Sequence, residues 1–136
     1  MLRVTFFCLL ASPAFLAHPA AADGGFVPVQ DKAAFLDRMK GQALHLPLYG
    51  VRLSVLPDGR ISGEALGSEV TGTWAWRDGF FCRDMVWRGR AIPHNCQLVE
   101  AQGQQLRFTS DRGAGRSAKF RLVPGGMGKL AKAGQD

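Results

Sequence analysis

A chain of 136 residues with 46% hydrophobic residues and a formal net charge of +6 can build one domain around one core, and no more. Its arginines and lysines are spread along the chain without a dense block, which argues against nucleic acid as a partner. What remains is a solvated basic surface, or an anionic partner such as a lipid headgroup, an acidic glycan or an acidic protein.

The first residues bear on the compartment. Met1-Leu2-Arg3 leads into the apolar run Val4–Ala17, and Ala20-Ala21-Ala22 precedes Asp23. A basic n-region, an apolar h-region and an A-x-A site together predict a secretory signal peptide over residues 1–22. The run falls short of the roughly 20 residues a membrane span needs, and Ser12 and Pro13 interrupt it, so no transmembrane span is expected. Cys8 lies inside the h-region with no small-residue lipobox before it, against a lipid anchor. Cleavage after Ala22 leaves about 114 residues and a net charge of about +5, in the periplasm or outside the cell. Cys8 leaves with the signal. Cys82 and Cys96 remain, and an even count in an oxidising compartment predicts one disulfide. It closes a loop of about 15 residues, worth about 3 kcal/mol by the chain-entropy model. The alternative, a reactive or metal-binding thiol, has no C-x-x-C spacing behind it.

The mature chain divides into a single β-domain over residues 23–124 and a Gly/Lys-rich tail over 125–136. Residues 23–30 read as an extended lead-in with Pro28. Asp31–Lys40 is the one helix: Asp31 can cap it, Phe35, Leu36 and Met39 form an apolar stripe, and Gly41 stands where a C-terminal glycine belongs. At about nine residues it is marginal alone and must pack on a sheet. From there the pattern alternates. Strands are predicted near Ala43–Leu48, Val51–Leu56, Arg60–Leu66, Glu69–Arg77, Phe80–Trp87, Asn95–Ala101, Gln104–Ser110 and Ser117–Val123. Asp58-Gly59 and Asp78-Gly79 read as two-residue hairpin turns, because both residues of a type I′ turn need positive φ. The fold class is all-β: an antiparallel up-and-down meander of about eight strands, a barrel or half-barrel, with one short N-terminal helix.

A two-residue turn at Asp78-Gly79 pairs Trp76 with Phe81, Ala75 with Cys82 and Trp74 with Arg83. Trp74, Trp76, Phe81, Arg83, Met85 and Trp87 then share one face. Thr73, Ala75, Phe80, Cys82 and Val86 share the other. Both faces are partly apolar, which predicts a central hairpin covered on each side, followed by a polar loop over Arg88–His94. The aromatic set is either the core of a small β-domain or the lining of a pocket for an apolar ligand or a sugar ring. Arg83 fits either a cation–π contact with Trp74 or a carboxylate anchor.

Catalytic patterns are thin. His94 lies two residues from Cys96, with Asp84 across the hairpin, so a Cys–His–Asp nucleophile set is conceivable. A disulfide partner at Cys82 would leave it no thiolate. His45, Glu64, Glu69 and Glu100 show no pairing by spacing, no metal-ligand spacing is present, and there is no serine nucleophile elbow. Gly113–Ala118 matches G-x-G-x-x-A after a plausible strand. A dinucleotide site needs a helix next, and Ala118–Val123 alternates like a strand, so a hairpin loop is expected. No cofactor and no metal are expected.

Three stretches carry a resemblance: Leu56-Pro57-Asp58-Gly59-Arg60-Ile61-Ser62-Gly63, Gly72-Thr73-Trp74 through Asp78-Gly79-Phe80-Phe81-Cys82-Arg83, and Asn95-Cys96-Gln97-Leu98-Val99. Together they resemble a group of small exported bacterial proteins of unknown function over roughly Gly41–Val123. The resemblance implies no established activity. Some members carry the label dihydrodipicolinate reductase, but that enzyme is a much longer nucleotide-binding protein whose glycine-rich fingerprint opens the chain. Gly113–Arg116 stands elsewhere, and the activity is not expected here. The chain is also loosely similar to exported metalloprotease-inhibitor barrels, which share a G-x-W strand, one disulfide and an eight-strand meander. That likeness implies a mobile N-terminal segment reaching a protease, a part only Asp23–Gln30 could take.

The function expected from these readings is a non-catalytic envelope binding or accessory module. Its ligand would be an envelope protein or a small apolar or anionic molecule, met by Trp74, Trp76, Arg83 and Trp87. The alternative is a protease-inhibitor-like barrel acting through its N-terminal segment. An enzyme would need His45, His94, Asp84 or Glu64 to converge in one pocket.

Overall fold

The computed structural model describes residues 25–125. The signal-peptide reading over residues 1–22, including Cys8, and the tail beyond 125 lie outside the described residues. The elements are β1 (Val27–Pro28), α1 (Lys32–Met39), β2 (Gln42–Leu46), β3 (Val51–Val55), β4 (Arg60–Ala65), β5 (Ser68–Arg77), β6 (Phe80–Trp87), β7 (Arg90–Gln102), β8 (Gln105–Thr109) and β9 (Ser117–Pro124). Strands β2 to β9 pair antiparallel, each with its neighbour in sequence, and β2 pairs with β9, which closes an eight-stranded barrel. β1 adds to the far end of β7, opposite Ala101 and Glu100. Closure removes the open edges that an eight-strand meander would otherwise present.

Alternation along the strands sends Leu44, Leu53, Val55, Ile61, Val70, Trp74, Phe81, Val99, Leu106, Phe108 and Leu122 into the core. Helix α1 covers one end of the barrel. Asp31 caps it by accepting from the Ala34 N–H at 2.8 Å, and Gly41 takes a φ of +68° just beyond its last turn. Phe35 drops from this helix into the barrel floor, fully buried, with ring centroids 5.3–5.5 Å from those of Trp74, Trp76 and Phe81. The turns of β3–β4, β5–β6 and β7–β8 lie at this plugged end. The other end carries the β2–β3, β4–β5, β6–β7 and β8–β9 connections, and among the described residues no α-helix lies over it.

The Asp78-Gly79 turn has φ values of +52° and +83°, and the register Trp76–Phe81, Ala75–Cys82, Trp74–Arg83 follows as expected. Several expectations are corrected. Asp58-Gly59 is not a two-residue turn: the Leu56 N–H donates to the Arg60 carbonyl at 2.8 Å, leaving a Pro57–Gly59 loop with only Gly59 left-handed. Asp58 instead accepts from the Arg60 backbone N–H at 3.1 Å and from its guanidinium at 2.7 Å, which holds its carboxyl below the usual carboxylate range. The predicted Arg88–His94 loop is a strand. Arg88 and Gly89 form the turn with φ of +51° and +71°, and β7 begins at Arg90. Arginine is a poor marker for a left-handed position, so the turn was invisible. The outer face of the β5–β6 hairpin is covered only in part: Cys82 is buried under its bond to Cys96, while Thr73 and Val86 are exposed. Pro47–Tyr49 forms a short 3-10 turn rather than the end of β2. Gly113–Ala118 runs from a loop into β9, with no helix to receive a pyrophosphate.

Gly72 shows how tightly β5 and β6 approach. A Cβ there would overlap the Asp84 carbonyl oxygen and stand 2.9 Å from the Met85 Cγ. Gly72→Ala should therefore cost about 1–3 kcal/mol through overpacking. Thermal unfolding followed by circular dichroism checks this, and an unchanged midpoint would mean that β6 can move away without loss.

Candidate functional site

The barrel is not filled. An inner chamber of about 210 Å³ lies between β2–β4 and β6–β9, walled by Leu53, Val55, Phe81, Met85, Phe108 and Phe120 among others. A second space of about 310 Å³ lies toward the uncovered end, lined by Tyr49, Val51, Leu66, Val70, Trp87 and Ile92. Leu53, Met85 and Phe120 line both, so the two form a chamber and its vestibule. The walls are mostly apolar because the inward positions of the strands face a core shielded from water. The chamber stays open because the core's largest side chains, Phe35, Trp74 and Trp76, gather at the plugged floor.

Two polar side chains reach the chamber wall, Arg83 on β6 and Gln97 on β7. Arg83 is half-buried and donates from Nη1 to the Pro93 carbonyl at 2.6 Å. Burial pushes its guanidinium below the ordinary arginine range, with the nearby Asp84 charge opposing the shift. Arginine remains charged all the same. Among the described residues, no carboxylate lies within ion-pair distance of it; Asp58, Asp84 and Glu100 pair with Arg60, His94 and Arg107 instead. A partly desolvated cation beside an apolar cavity is a place where an anion gains both charge and hydrogen-bond energy.

The other expected contact residues separate. Trp74 is 6% exposed, packs on Phe35 and donates its indole N–H to the Leu56 carbonyl at 2.8 Å. It belongs to the floor and cannot act as an exposed contact surface. The cation near its ring is Lys32 at 5.5 Å, not Arg83, whose position opposite Trp74 ends in a bond to Pro93. Trp76 stacks on Phe35 at the same end. Trp87 alone of the three reaches the vestibule, with its N–H on the Ala65 carbonyl at 2.9 Å and the Arg88 guanidinium over its ring. Sequence reasoning missed Leu48, Tyr49 and Leu66, which rim the uncovered end at 78%, 53% and 53% exposure. A run of turn residues gives no sign that its apolar members will gather at one rim.

The candidate acid–base groups do not meet in the chamber. His45 on β2 stands opposite Arg52 on β3 and Arg121 on β9, and Glu64 on β4 is exposed opposite Glu69 on β5. His94 and Asp84 do meet, on the outer wall: His94 Nδ1 lies 3.0 Å from Asp84 Oδ2, and His94 Nε2 lies 3.7 Å from Cys96 Sγ. Cys96 is bonded to Cys82, directly opposite it in the β6–β7 register. Cys82, His94 and Cys96 offer three ligand atoms within 4.8 Å of one another, but two of them are spent on the sulfur–sulfur bond. The bond joins the start of β6 to the middle of β7, since β7 begins earlier than expected.

The N-terminal lead-in lies against the wall. Val27 and Pro28 pair with β7, Val29 is buried with its N–H on the Val99 carbonyl at 2.8 Å, and Arg107 sits 4.4 Å over the Phe26 ring.

Fold and cavity together define a closed eight-stranded barrel with a plugged floor, an apolar interior and one cationic group on its wall. No protein-family model, no curated protein and no solved structure matches this chain.

Proposed function

We propose that this protein is an exported, non-catalytic binding barrel whose interior takes a small apolar molecule carrying an acidic head. The observation that carries the reading is Arg83: a half-buried guanidinium on the wall of an otherwise apolar chamber, without a carboxylate partner among the described residues. The apolar tail of the ligand fills the chamber, its acid group meets Arg83, and Trp87 closes over it from the vestibule. The inner chamber alone is smaller than the roughly 300–1,000 Å³ of ordinary ligand sites, and the vestibule extends it into that range. Export rests on the signal-peptide pattern, and the Cys82–Cys96 pair is compatible with it. Among the described residues no helix is long and apolar enough to cross a membrane.

The test uses straight-chain monocarboxylates of increasing length and the matching alcohols, titrated by calorimetry and by Trp87-sensitive fluorescence. The carboxylates should bind more tightly than the alcohols. Arg83→Met should weaken the carboxylates about 10- to 100-fold, the value of a charge-assisted hydrogen bond, and leave the alcohols unchanged. Carboxylates that bind Arg83→Met as well as the native chain would remove Arg83 from the site, and no binding by either series would end the reading.

A second reading is favoured by the exposed Leu48, Tyr49 and Leu66, which suit a protein docked over the open end. The protease-inhibitor alternative has to release β1 from β7 before Asp23–Gln30 can reach a protease, at the loss of the Val29 and Phe26 contacts.

A further inference from the structure

On the outer wall, Asp84, His94, Cys96 and Cys82 form a line of contacts that the binding reading does not use. Its geometry follows from the strands. Cys82 and Asp84 are two residues apart on β6, and His94 and Cys96 two apart on β7, so each pair projects outward side by side. Register places Cys82 against Cys96. A bulge follows at once: Arg83 pairs with Asn95, but Met85 pairs with Ile92, leaving Asp84 opposite Pro93 and His94. The extra residue turns His94 so that one ring nitrogen meets Asp84 and the other meets sulfur. The two sulfurs differ in access. Cys82 is buried and Cys96 half-buried. The remaining charged groups bonded to this stretch of β7 are Arg83, on the Pro93 carbonyl, and Asp111, which exchanges bonds with Asn95.

We propose that the Cys82–Cys96 bond is a thiol–disulfide exchange site, with Cys96 the exchanging sulfur, Cys82 the resolving one, His94 the group that stabilises the Cys96 thiolate, and Asp84 the residue that positions His94. The reaction partner is a small thiol and its disulfide. In the reduced protein the Cys96 thiolate attacks one sulfur of R–S–S–R. The Cys96–S–R bond forms and one R–S⁻ leaves to take a proton from water. The Cys82 thiolate then attacks Cys96 Sγ, restoring the Cys82–Cys96 bond and expelling the second R–S⁻. The protein gives up two electrons and two protons, and the partner disulfide becomes two thiols. In reverse, the protein disulfide oxidises two thiols through the same mixed disulfide on Cys96. In reverse the first attack on Cys96 expels the Cys82 thiolate, and the second expels the Cys96 thiolate next to His94; Cys96 is the less buried of the two cysteines. Accessibility and activation coincide on one atom, which is what an exchanging cysteine needs.

The test uses the full chain carrying Cys8→Ser, so that Cys82 and Cys96 are the sole thiols. The reduced protein is pulsed with iodoacetamide from pH 5 to 9, and each cysteine is followed by peptide mass spectrometry. Lowering a thiol pKa by one unit raises its rate below both values only about threefold, because nucleophilicity falls as the thiolate fraction grows. Cys96 should react roughly tenfold faster at pH 6.5 than in His94→Ala, with Asp84→Asn between them and its pH profile displaced upward. Cys82 should stay slow throughout. A Cys96 profile centred near the ordinary thiol value of about 8.5 and unmoved by His94→Ala overturns the proposal. Should reduction unfold the chain, the oxidised protein is treated with glutathione instead. The mixed disulfide should then form on Cys96 and persist longer in His94→Ala. A glutathione adduct on Cys82, no adduct, or equal lifetimes overturn the proposal as well.

Discussion

Phe35→Ala is expected to lower the unfolding free energy by about 3–5 kcal/mol, the upper range for a truncated core aromatic. Phe35 is the one helix residue fully enclosed by the barrel, and its ring meets Trp74, Trp76, Phe81 and Phe108 at centroid distances from 5.3 to 6.4 Å. An eight-residue helix has little stability of its own, so the contact that holds α1 down also holds it folded. The cavity left behind would lie against the inner chamber and could not collapse, because rigid strands surround it. For a domain of this size the loss corresponds to roughly 12–40 °C in the thermal midpoint. Denaturant unfolding followed by far-ultraviolet circular dichroism measures it. A loss below about 1 kcal/mol would make α1 an appendage rather than the barrel's floor.

Removing the disulfide by Cys82→Ala with Cys96→Ala is expected to cost about 3 kcal/mol, or roughly 12–24 °C. The cysteines are 14 residues apart in sequence and lie directly opposite each other on β6 and β7. The native chain keeps that register without them, through the Arg88-Gly89 turn and the ladder on either side, so the effect falls on the unfolded chain, which gains the freedom of an open loop. Native-state amide exchange in β6 and β7 should therefore lose protection only by the global amount. A change under about 1 kcal/mol would show that the unfolded chain already holds the hairpin. This stabilising part is compatible with exchange at Cys96, since a bond can constrain the chain and still be opened by a thiolate.

Much of the fold was legible because period-two alternation is a local property. Strand positions from Val51 onward, the capped helix and the Trp74–Arg83 register came from neighbouring residues alone. The Asp78-Gly79 turn set that register, because Asp-Gly prefers the backbone that a two-residue hairpin requires. The Arg88-Gly89 turn was missed for the same reason in reverse, and β7 was cut short by five residues at its start.

The site was legible only in part. Arg83 and Trp87 were picked out on one face, but the sequence could not say whether that face was filled. Trp74 and Arg83 are equivalent by alternation. Trp74 became floor and Arg83 became wall because helix α1 enters from one end and brings Phe35 to the tryptophan. The exposed rim of Leu48, Tyr49 and Leu66 comes from two connections distant in sequence, joined by the Leu66 N–H on the Tyr49 carbonyl at 3.0 Å. The cluster of Asp84, His94 and Cys96 depends on a one-residue bulge that no pattern of polarity records. By itself the sequence determined the fold class, the paired cysteines and which side chains share a face, since these follow from local periodicity and turn chemistry. Only the tertiary structure decided that the sheet closes, which end is plugged, where space remains and which nitrogen meets which sulfur. Those are matters of how distant segments pack, and packing is settled by volume and register across the whole barrel.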